Sequence, residues 1–272
     1  MSGATLSGLC RSAGLSRQGY YQGRGERRRR DHHDAEVLEA VRAIRRQQPR
    51  VGARKLQHQL RQHGQRIGRD RLFGLLRRQE LLVVPKRRKA RTTYYDRALP
   101  VYRNLLYELA PTRPHQVWVS DMTFISTEEG FLYLSLITDL MSRRIVGWHA
   151  GLSGQASEAV QALHMAIAAL PPGRWPIHHS DRGSQYCCHE YVAVLNARAL
   201  PISMTEENHC YENAHAERVN GILKDEFNLD RIFASRRQAR HAIAEAIHTY
   251  NSSRLHFSLQ LRTPDAVHFQ AA

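Results

Sequence analysis

The sequence predicts an α/β fold, in which a mixed five-stranded sheet flanked by helices follows an all-α, helix-turn-helix-like domain. Apolar residues recur at helical spacing up to about residue 81 and alternate as in strands from about residue 115. The charge changes in the same region: residues 1–113 carry 27 Lys and Arg against 9 Asp and Glu, whereas residues 114–272 carry 13 against 16. A basic arm beside a near-neutral body indicates that the arm binds a polyanion such as nucleic acid.

The N-terminal part is predicted to be helical. Residues 1–30 are interpreted as a short helical segment and a charged linker, and residues 31–84 as a helix-turn-helix-like DNA-binding domain. Two helices, 53–63 and the arginine-rich 69–81, flank a glycine-containing turn, although any small helical bundle gives this pattern. Residues 85–113 are expected to form a basic linker along a phosphate backbone. The DNA contacts expected here are Arg54, Lys55, Arg69, Arg71, Lys86, Arg87 and Arg88.

Residues 114–272 are predicted to form the sheet. "HQVWVSDMTFIS", "FLYLSLITDL" and "RRIVGWHAG" are strand-like and are joined by connections of hairpin length. A helix over 154–170, the strand "RWPIHHSD", a second helix and the short strand "PISMT" follow. Two more helices, 214–227 and 236–251, complete the order β-β-β-α-β-α-β-α-α. An antiparallel meander followed by crossovers gives a mixed sheet, with the first and fourth strands adjacent.

Three carboxylates lie on elements that this topology brings together. Asp121 is inside the first strand, Asp181 follows the fourth, and Glu217 is on the helix after the fifth. There are 59 residues between Asp121 and Asp181 and 35 between Asp181 and Glu217. Three such acids could hold two Mg²⁺ or Mn²⁺ ions, which stabilise the attacking and leaving oxygens of a phosphoryl displacement.

Each acid also has an ordinary structural explanation. An aspartate in a strand can be a surface residue, one in "SDRG" can form a turn, and a helical glutamate is usually solvated. Asp139, at the end of "LITD", is a fourth candidate, and capping of the following turn suits it better than catalysis. The residues alone therefore leave the metal site open.

Several other classes of protein are disfavoured. The N-terminal residues lack the apolar segment of a signal peptide, and no apolar run approaches the roughly 20 residues of a membrane helix. The four cysteines form no CxxC pair, and the histidines near them lack zinc-finger spacing. These features favour a reducing cytoplasm and disfavour zinc.

Five blocks then carry a family resemblance. They are "WVSDMTFI", "GFLYLSLITDLMSRRIVGW", "HSDRGSQY", "SMTEENHCYENAHAERVNGILKDEF" and "YNSSRLHFSL". In this order they resemble the integrase-core transposases of bacterial insertion sequences, and most closely the second-frame (OrfB-type) subunit of the insertion-sequence-three family. The 35 residues between the last two acids match that family's signature.

The resemblance implies an RNase H-like core with an Asp-Asp-Glu active site, here Asp121, Asp181 and Glu217, and a Mg²⁺ or Mn²⁺ cofactor, in two ions. It implies cleavage at transposon ends and transfer of the freed 3′-hydroxyl into target DNA. The implied partners are DNA, a first-frame (OrfA-type) subunit and further copies of the chain on DNA, in the nucleoid. The alternatives are a catalytically silent DNA-binding or partner-binding subunit and a nuclease that acts on RNA–DNA hybrids.

Further residues follow from the resemblance. Lys224 matches the family's basic residue seven positions after the glutamate, two helical turns along the same face, and is expected to contact a DNA phosphate. Asn220 and Arg182 are expected as further DNA contacts. His179 is expected to support Asp181, with a buried core histidine as the alternative. The chain departs from the family at "NHCYENA", where many relatives read "GNCYDNA" and His209 replaces an asparagine.

Overall fold

The chain divides into two compact units, residues 1–46 with 51–83 and residues 47–50 with 84–272. The computed structural model describes residues 5–84, 101–107, 109–206 and 214–270. Within these described ranges, no helix is both long enough and apolar enough to cross a membrane.

The first unit is helical, as its apolar spacing predicts. Its helices are α1 (Leu6–Ser12), α2 (Arg17–Gln47), α3 (Ala53–Gln62) and α4 (Arg69–Arg78). One apolar cluster forms its core, with Val37 and Val41 from α2, Leu56 from α3 and Leu72 and Leu76 from α4 among its members. A turn separates α3 from α4, so the predicted helix-turn-helix-like order is present.

The predicted charged linker within residues 1–30 is wrong, because α2 runs without interruption from Arg17 to Gln47. The stretch contains no proline, and arginine is among the better helix formers, so dense charge alone does not end the helix. Gly23 and Gly25 lie inside it, each at a cost of about 1 kcal/mol relative to alanine.

The second unit contains a five-stranded mixed sheet, which confirms the predicted fold. Its strands are β1 (Val117–Thr127), β2 (Gly130–Asp139), β3 (Ile145–Gly151), β4 (Ile177–Ser180) and β5 (Ile202–Met204). The order in space is β3-β2-β1-β4-β5, with β1, β2 and β3 antiparallel and β4 and β5 parallel to β1. The first and fourth strands are adjacent, as expected. Only three residue pairs join them, from Val117↔Ile177 to Val119↔His179.

Helices cover both faces of this sheet. They are α5 (Ala156–Ala168), α6 (Ser184–Cys187), α7 (His189–Ala197), α8 (Ala214–Glu226), α9 (Arg236–Ser252) and α10 (Pro264–Gln270), with a 3₁₀ helix at Phe257–Leu259. α5 and α7 pack in one apolar core and α8 and α9 in another. At Gly147 on β3, a Cβ would lie 2.3 Å from the carbonyl oxygen of Ala162, so only glycine permits this approach of α5. The arrangement is RNase H-like.

Asp139 caps the turn after β2, as its position predicts. Its Oδ1 accepts hydrogen bonds from the backbone N–H and the hydroxyl of Ser142, both at 2.8 Å. Its Oδ2 accepts from the backbone N–H of His115 at 2.6 Å. The Ser142 hydroxyl also lies 2.8 Å from His268 Nδ1, which ties α10 to the turn.

Candidate functional site

The pairing of β1 with β4 places two of the predicted acids side by side. Asp121 and Asp181 each stand two residues beyond the last pair, Val119↔His179. Asp121 continues the alternation of side chains along β1, and Asp181 is the first residue after β4. Both residues are half-buried.

Hydrogen bonds orient both carboxylates. Asp121 Oδ2 accepts from Asn220 Nδ2 at 2.8 Å, and its Oδ1 accepts from the backbone N–H of Met122 at 2.9 Å. Asp181 Oδ1 accepts from the backbone N–H of Gly183 at 3.0 Å, at the turn that leads into α6. Asn220 is 6% exposed, so its amide is a fixed part of α8 rather than a mobile surface group.

Glu217 reaches this region through α8. It lies in the first turn of α8, is half-buried and precedes Asn220 by three residues, so it shares the helix side that faces Asp121. The "NHCYENA" segment with His209 lies outside the described residues. Within the described part of the chain, no three His, Cys, Asp or Glu side chains are close enough together to hold a metal ion. The structure therefore places Asp121 on β1, Asp181 directly after the adjacent β4 and Glu217 in the first turn of α8, without a closed three-acid cluster among the described residues.

Tyr186, in the quoted block "HSDRGSQY", is a site residue that sequence reasoning missed. Burial raises its pKa well above the usual range, and the negative charges of Asp121 and Asp181 raise it further. Burial and the Asp181 charge also raise the pKa of Cys187 to about 11. The charges of both carboxylates thus help to keep the buried Tyr186 hydroxyl protonated. The available signal was an aromatic residue three positions after the glycine of an Asp-x-Gly turn.

A buried polar network joins β1 and β4 below the acids. His178 Nε2 lies 2.7 Å from the Ser120 hydroxyl and 2.8 Å from the Tyr191 hydroxyl. Burial lowers the pKa of His178 to about 3, so the ring is neutral at physiological pH. Since Ser120 directly precedes Asp121, this network fixes the strand position from which Asp121 projects.

His179 makes a different contact from the expected one. Its Nδ1 lies 2.8 Å from the Ser203 hydroxyl of β5, and the residue is fully buried. This contact matches the core-histidine alternative, so support of Asp181 by His179 stays a prediction.

Lys224 lies over an aromatic ring at the edge of the site. Its Nζ is 4.6 Å from the centroid of Phe124, which follows Asp121 by three residues on β1. Lys224 is four residues after Asn220 on α8, so both reach β1 from one side of the helix.

The other expected DNA contacts differ in their surroundings. Arg182 Nε donates to the carbonyl of Thr205 at 2.7 Å, and Arg71 Nη2 donates to Asp34 at 2.7 Å. Arg69 pairs with Asp70, and Arg54 is exposed. Lys55 is 8% exposed, because the buried side of α3 includes its first turn.

Lys86, Arg87 and Arg88 lie outside the described residues. Their contacts with DNA stay predictions, as do those of the basic residues above.

Two family models match the second unit. Both are described as "Integrase core domain", and they match residues 111–210 and 198–264. The chain is 38% identical over 262 residues to "Insertion element IS600 uncharacterized 31 kDa protein" of Shigella sonnei, covering 95% of this chain and 96% of that protein.

A second relative and a solved structure agree with these matches. The chain is 34% identical over 261 residues to "Transposase InsF for insertion sequence IS3A" of Escherichia coli K12, covering 93% of this chain and 90% of that protein. It superposes on the simian T-cell lymphotropic virus intasome structure, solved with PP2A regulatory subunit B56 gamma, with a TM-score of 0.50. That match has 19% identity and covers 78% of this chain and 70% of the other, so it bears on the fold alone.

Proposed function

From the premise that this chain belongs to the IS3 family of transposases and is a DDE-type polynucleotidyl transferase, we propose the reaction that it performs. It cleaves DNA at the ends of an insertion sequence and joins the freed 3′-hydroxyl to target DNA. The observation that carries the proposal is the placement of Asp121 on β1 and of Asp181 directly after the adjacent parallel strand β4, with Asn220 of α8 bound to Asp121.

The acids fit hard divalent cations, Mg²⁺ or Mn²⁺. Their donors are carboxylate oxygens, which are the ligands that hard cations prefer. Carboxylates brought together repel one another, and a bound cation relieves that repulsion. Asp121, Asp181 and Glu217 would together hold two such ions. When bound, such ions stabilise the charge that develops on the attacking and leaving oxygens of the phosphodiester.

The chain's own residues orient the acids and the DNA. The Asn220 amide fixes one oxygen of Asp121, and the Gly183 N–H fixes one oxygen of Asp181. The ammonium of Lys224 would contact a phosphate beside the cut bond. Tyr186 stays protonated, because burial and both carboxylates disfavour its ionised form.

The basic helical unit would hold the DNA. Its arginines would neutralise phosphates without reading sequence, so binding would weaken as salt rises. A first-frame (OrfA-type) subunit would add recognition of the element's ends, and further copies of the chain would assemble there. In a cell this would keep the chain in the cytoplasm on nucleoid DNA.

A catalytically silent DNA-binding or partner-binding subunit is the second candidate. The observation that favours it is the lack of a closed three-acid cluster among the described residues. The two candidates differ in one measurable property, which is whether strand cleavage depends on Glu217.

The experiment compares Glu217→Gln with the native chain in the presence of Mg²⁺ or Mn²⁺. The substrate is labelled DNA that carries the ends of the insertion sequence, which flank the gene. Metal-ion catalysis is worth several kcal/mol, so we expect nicking and joining to fall by about a hundredfold or more with DNA binding retained. Glu190→Gln is the matched control, because Glu190 is also in the first turn of a helix but is exposed.

Equal activity in Glu217→Gln and the native chain would contradict the proposed mechanism. If neither cleaves DNA, the fused first-frame and second-frame protein is assayed in the same way. Inactivity of that form too would favour the silent subunit.

A further inference from the structure

Two phenylalanines on the β1–β2 hairpin form an exposed aromatic pair on the face of the sheet opposite to Asp121. Phe124 and Phe131 are 53% and 50% exposed, with ring centroids 5.2 Å apart and planes at 68°. Phe124 follows Asp121 by three residues, which is about 10 Å along a strand and matches a few nucleotides of one DNA strand. Exposed apolar side chains are usually scattered singly, so a contiguous exposed pair on the strand that carries Asp121 points to a binding surface.

Cationic side chains border the pair at both ends. Lys224 Nζ lies 4.6 Å from the centroid of Phe124. At the other end, the guanidinium of Arg236 lies against Gly130, which precedes Phe131, 3.1 Å from where a Cβ would be. The backbone N–H of Arg236 also donates to Glu129 in the hairpin turn, so one acid is present there. Aromatic rings between cations are the arrangement by which proteins bind unpaired nucleotides, with the cations on phosphates and the rings on bases.

The route from the acids to the rings passes around a strand edge. Side chains three residues apart point to opposite faces, so Phe124 lies on the face away from Asp121. β1 pairs with β4 only through Val117–Val119, so beside Asp121 and Phe124 its second edge carries no strand among the described residues. Lys224 of α8 reaches Phe124 at this edge.

We propose that Phe124 and Phe131 form a stacking platform for an unpaired base at the DNA end that is cut at the acids. This rests on the proposed function, since it takes the DNA end at the acids as given. The cationic borders favour a nucleotide over an apolar protein surface, which would gain nothing from charges on either side of the rings.

The same ring pair also stabilises the hairpin as a cross-strand contact, so the test must separate the two roles. The variants are Phe124→Leu and Phe131→Leu, which keep apolar volume and remove the ring. Phe131→Leu also leaves the Lys224–Phe124 contact in place. The matched control is Phe257→Leu, because Phe257 is 57% exposed but lies on the 3₁₀ helix.

Affinity is measured by fluorescence anisotropy without divalent metal, so that no bond is cut. The probes are two labelled duplexes of the element's end, one fully paired and one with mismatched bases at the 3′ end. Stacking on a ring is worth about 1–3 kcal/mol per base, so the native chain and Phe257→Leu should bind the mismatched end about tenfold more tightly. Each platform variant should lose this preference and keep its affinity for the paired end.

Equal affinity of the native chain for both ends, or binding to neither, would overturn the platform. Platform variants that behave like Phe257→Leu would overturn it too. If a leucine variant melts at a lower temperature, Phe124→Trp keeps a ring and must keep the preference. The platform and the proposed reaction fail separately, because this assay cuts no bond and the Glu217 assay measures only cutting and joining.

Discussion

Two aspartates of the same antiparallel hairpin have different surroundings. Asp139, at the end of β2, is fully buried and accepts three hydrogen bonds from Ser142 and His115. Asp121, in the middle of β1, is half-buried, and a side chain from α8 orients it. Burial and the number of hydrogen-bond donors therefore distinguish a structural carboxylate from one that can bind a ligand, although the sequence shows both as strand aspartates.

The largest effect should separate the two aspartates by stability. Asp139→Asn replaces one carboxylate oxygen by an amide, which leaves a donor facing the N–H of His115 or of Ser142. A buried unsatisfied group costs about 1–3 kcal/mol, so the free energy of unfolding in urea should fall by about 2–3 kcal/mol. Asp121→Asn keeps an acceptor for Asn220 and should change it by less than about 1 kcal/mol, while nicking is lost. Similar free energies of unfolding for the two variants would contradict the distinction between a structural Asp139 and a ligand-binding Asp121.

A smaller effect should be a dependence of the protein's stability on pH, caused by His268 near Asp139. Burial lowers the pKa of His268 to about 4, against the charges of Asp139 and Asp265 that raise it. The unfolded chain then binds a proton near pH 6.5 that the folded chain does not, so stability is full above pH 6.5 and falls as pH drops toward 4. Between pH 7 and 5 we expect a loss of about 1–2 kcal/mol in urea unfolding.

Two variants test the source of that pH dependence. His268→Gln should reduce the slope between pH 7 and 5, because it removes the titrating ring. His241→Gln should leave it unchanged, since His241 is 73% exposed. An unaltered slope in His268→Gln would assign the proton uptake to another group, such as His178, whose pKa is also lowered by burial.

The smallest effect concerns the hydrogen bond from Asn220 to Asp121. Asn220→Ala removes one hydrogen bond to a charged oxygen, worth about 1.5–3 kcal/mol in place, and should lower the nicking rate about tenfold with a fall of only about 1 kcal/mol in unfolding energy. The matched control is Asn251→Ala on α9, where the amide bonds both backbone groups of Ile145. Asn251→Ala should lower the free energy of unfolding more than Asn220→Ala does. Its nicking rate should fall only in proportion to the fraction of protein that is unfolded. The reverse pattern would remove Asn220 from the site.

Much of the fold could be predicted because the sheet has strong local signals. The long strands β1 and β2 and the hairpin between them are visible in the alternation of apolar residues, and their order fixes the neighbours of Asp121. The candidate acids Asp121, Asp181 and Glu217 were chosen by their spacing in the sequence, which matches the family pattern, and their role stays a prediction. Asp139 was also interpreted correctly, since its position before a turn determines its hydrogen bonds.

The remaining features depend on contacts that local patterns do not encode. The charged half of α2 lacks apolar spacing, yet it is helical, and Arg71 of α4 donates hydrogen bonds to the carbonyl of Arg30 and the carboxylate of Asp34. Lys55 looks like a surface residue until α3 is packed. Tyr186 becomes a site residue only when α6 brings it beside acids from β1 and from the loop after β4.

The short pairing of β1 with β4 has a mechanical consequence. The ladder between them stops at Val119 and His179, so no main-chain hydrogen bond of that ladder spans Asp121 and Asp181. Side-chain contacts and a turn, which are softer restraints than a sheet, set the gap between the two acids. The distance between the two acids can therefore adjust to a bound cation or phosphate without breaking any hydrogen bond of the β1–β4 ladder.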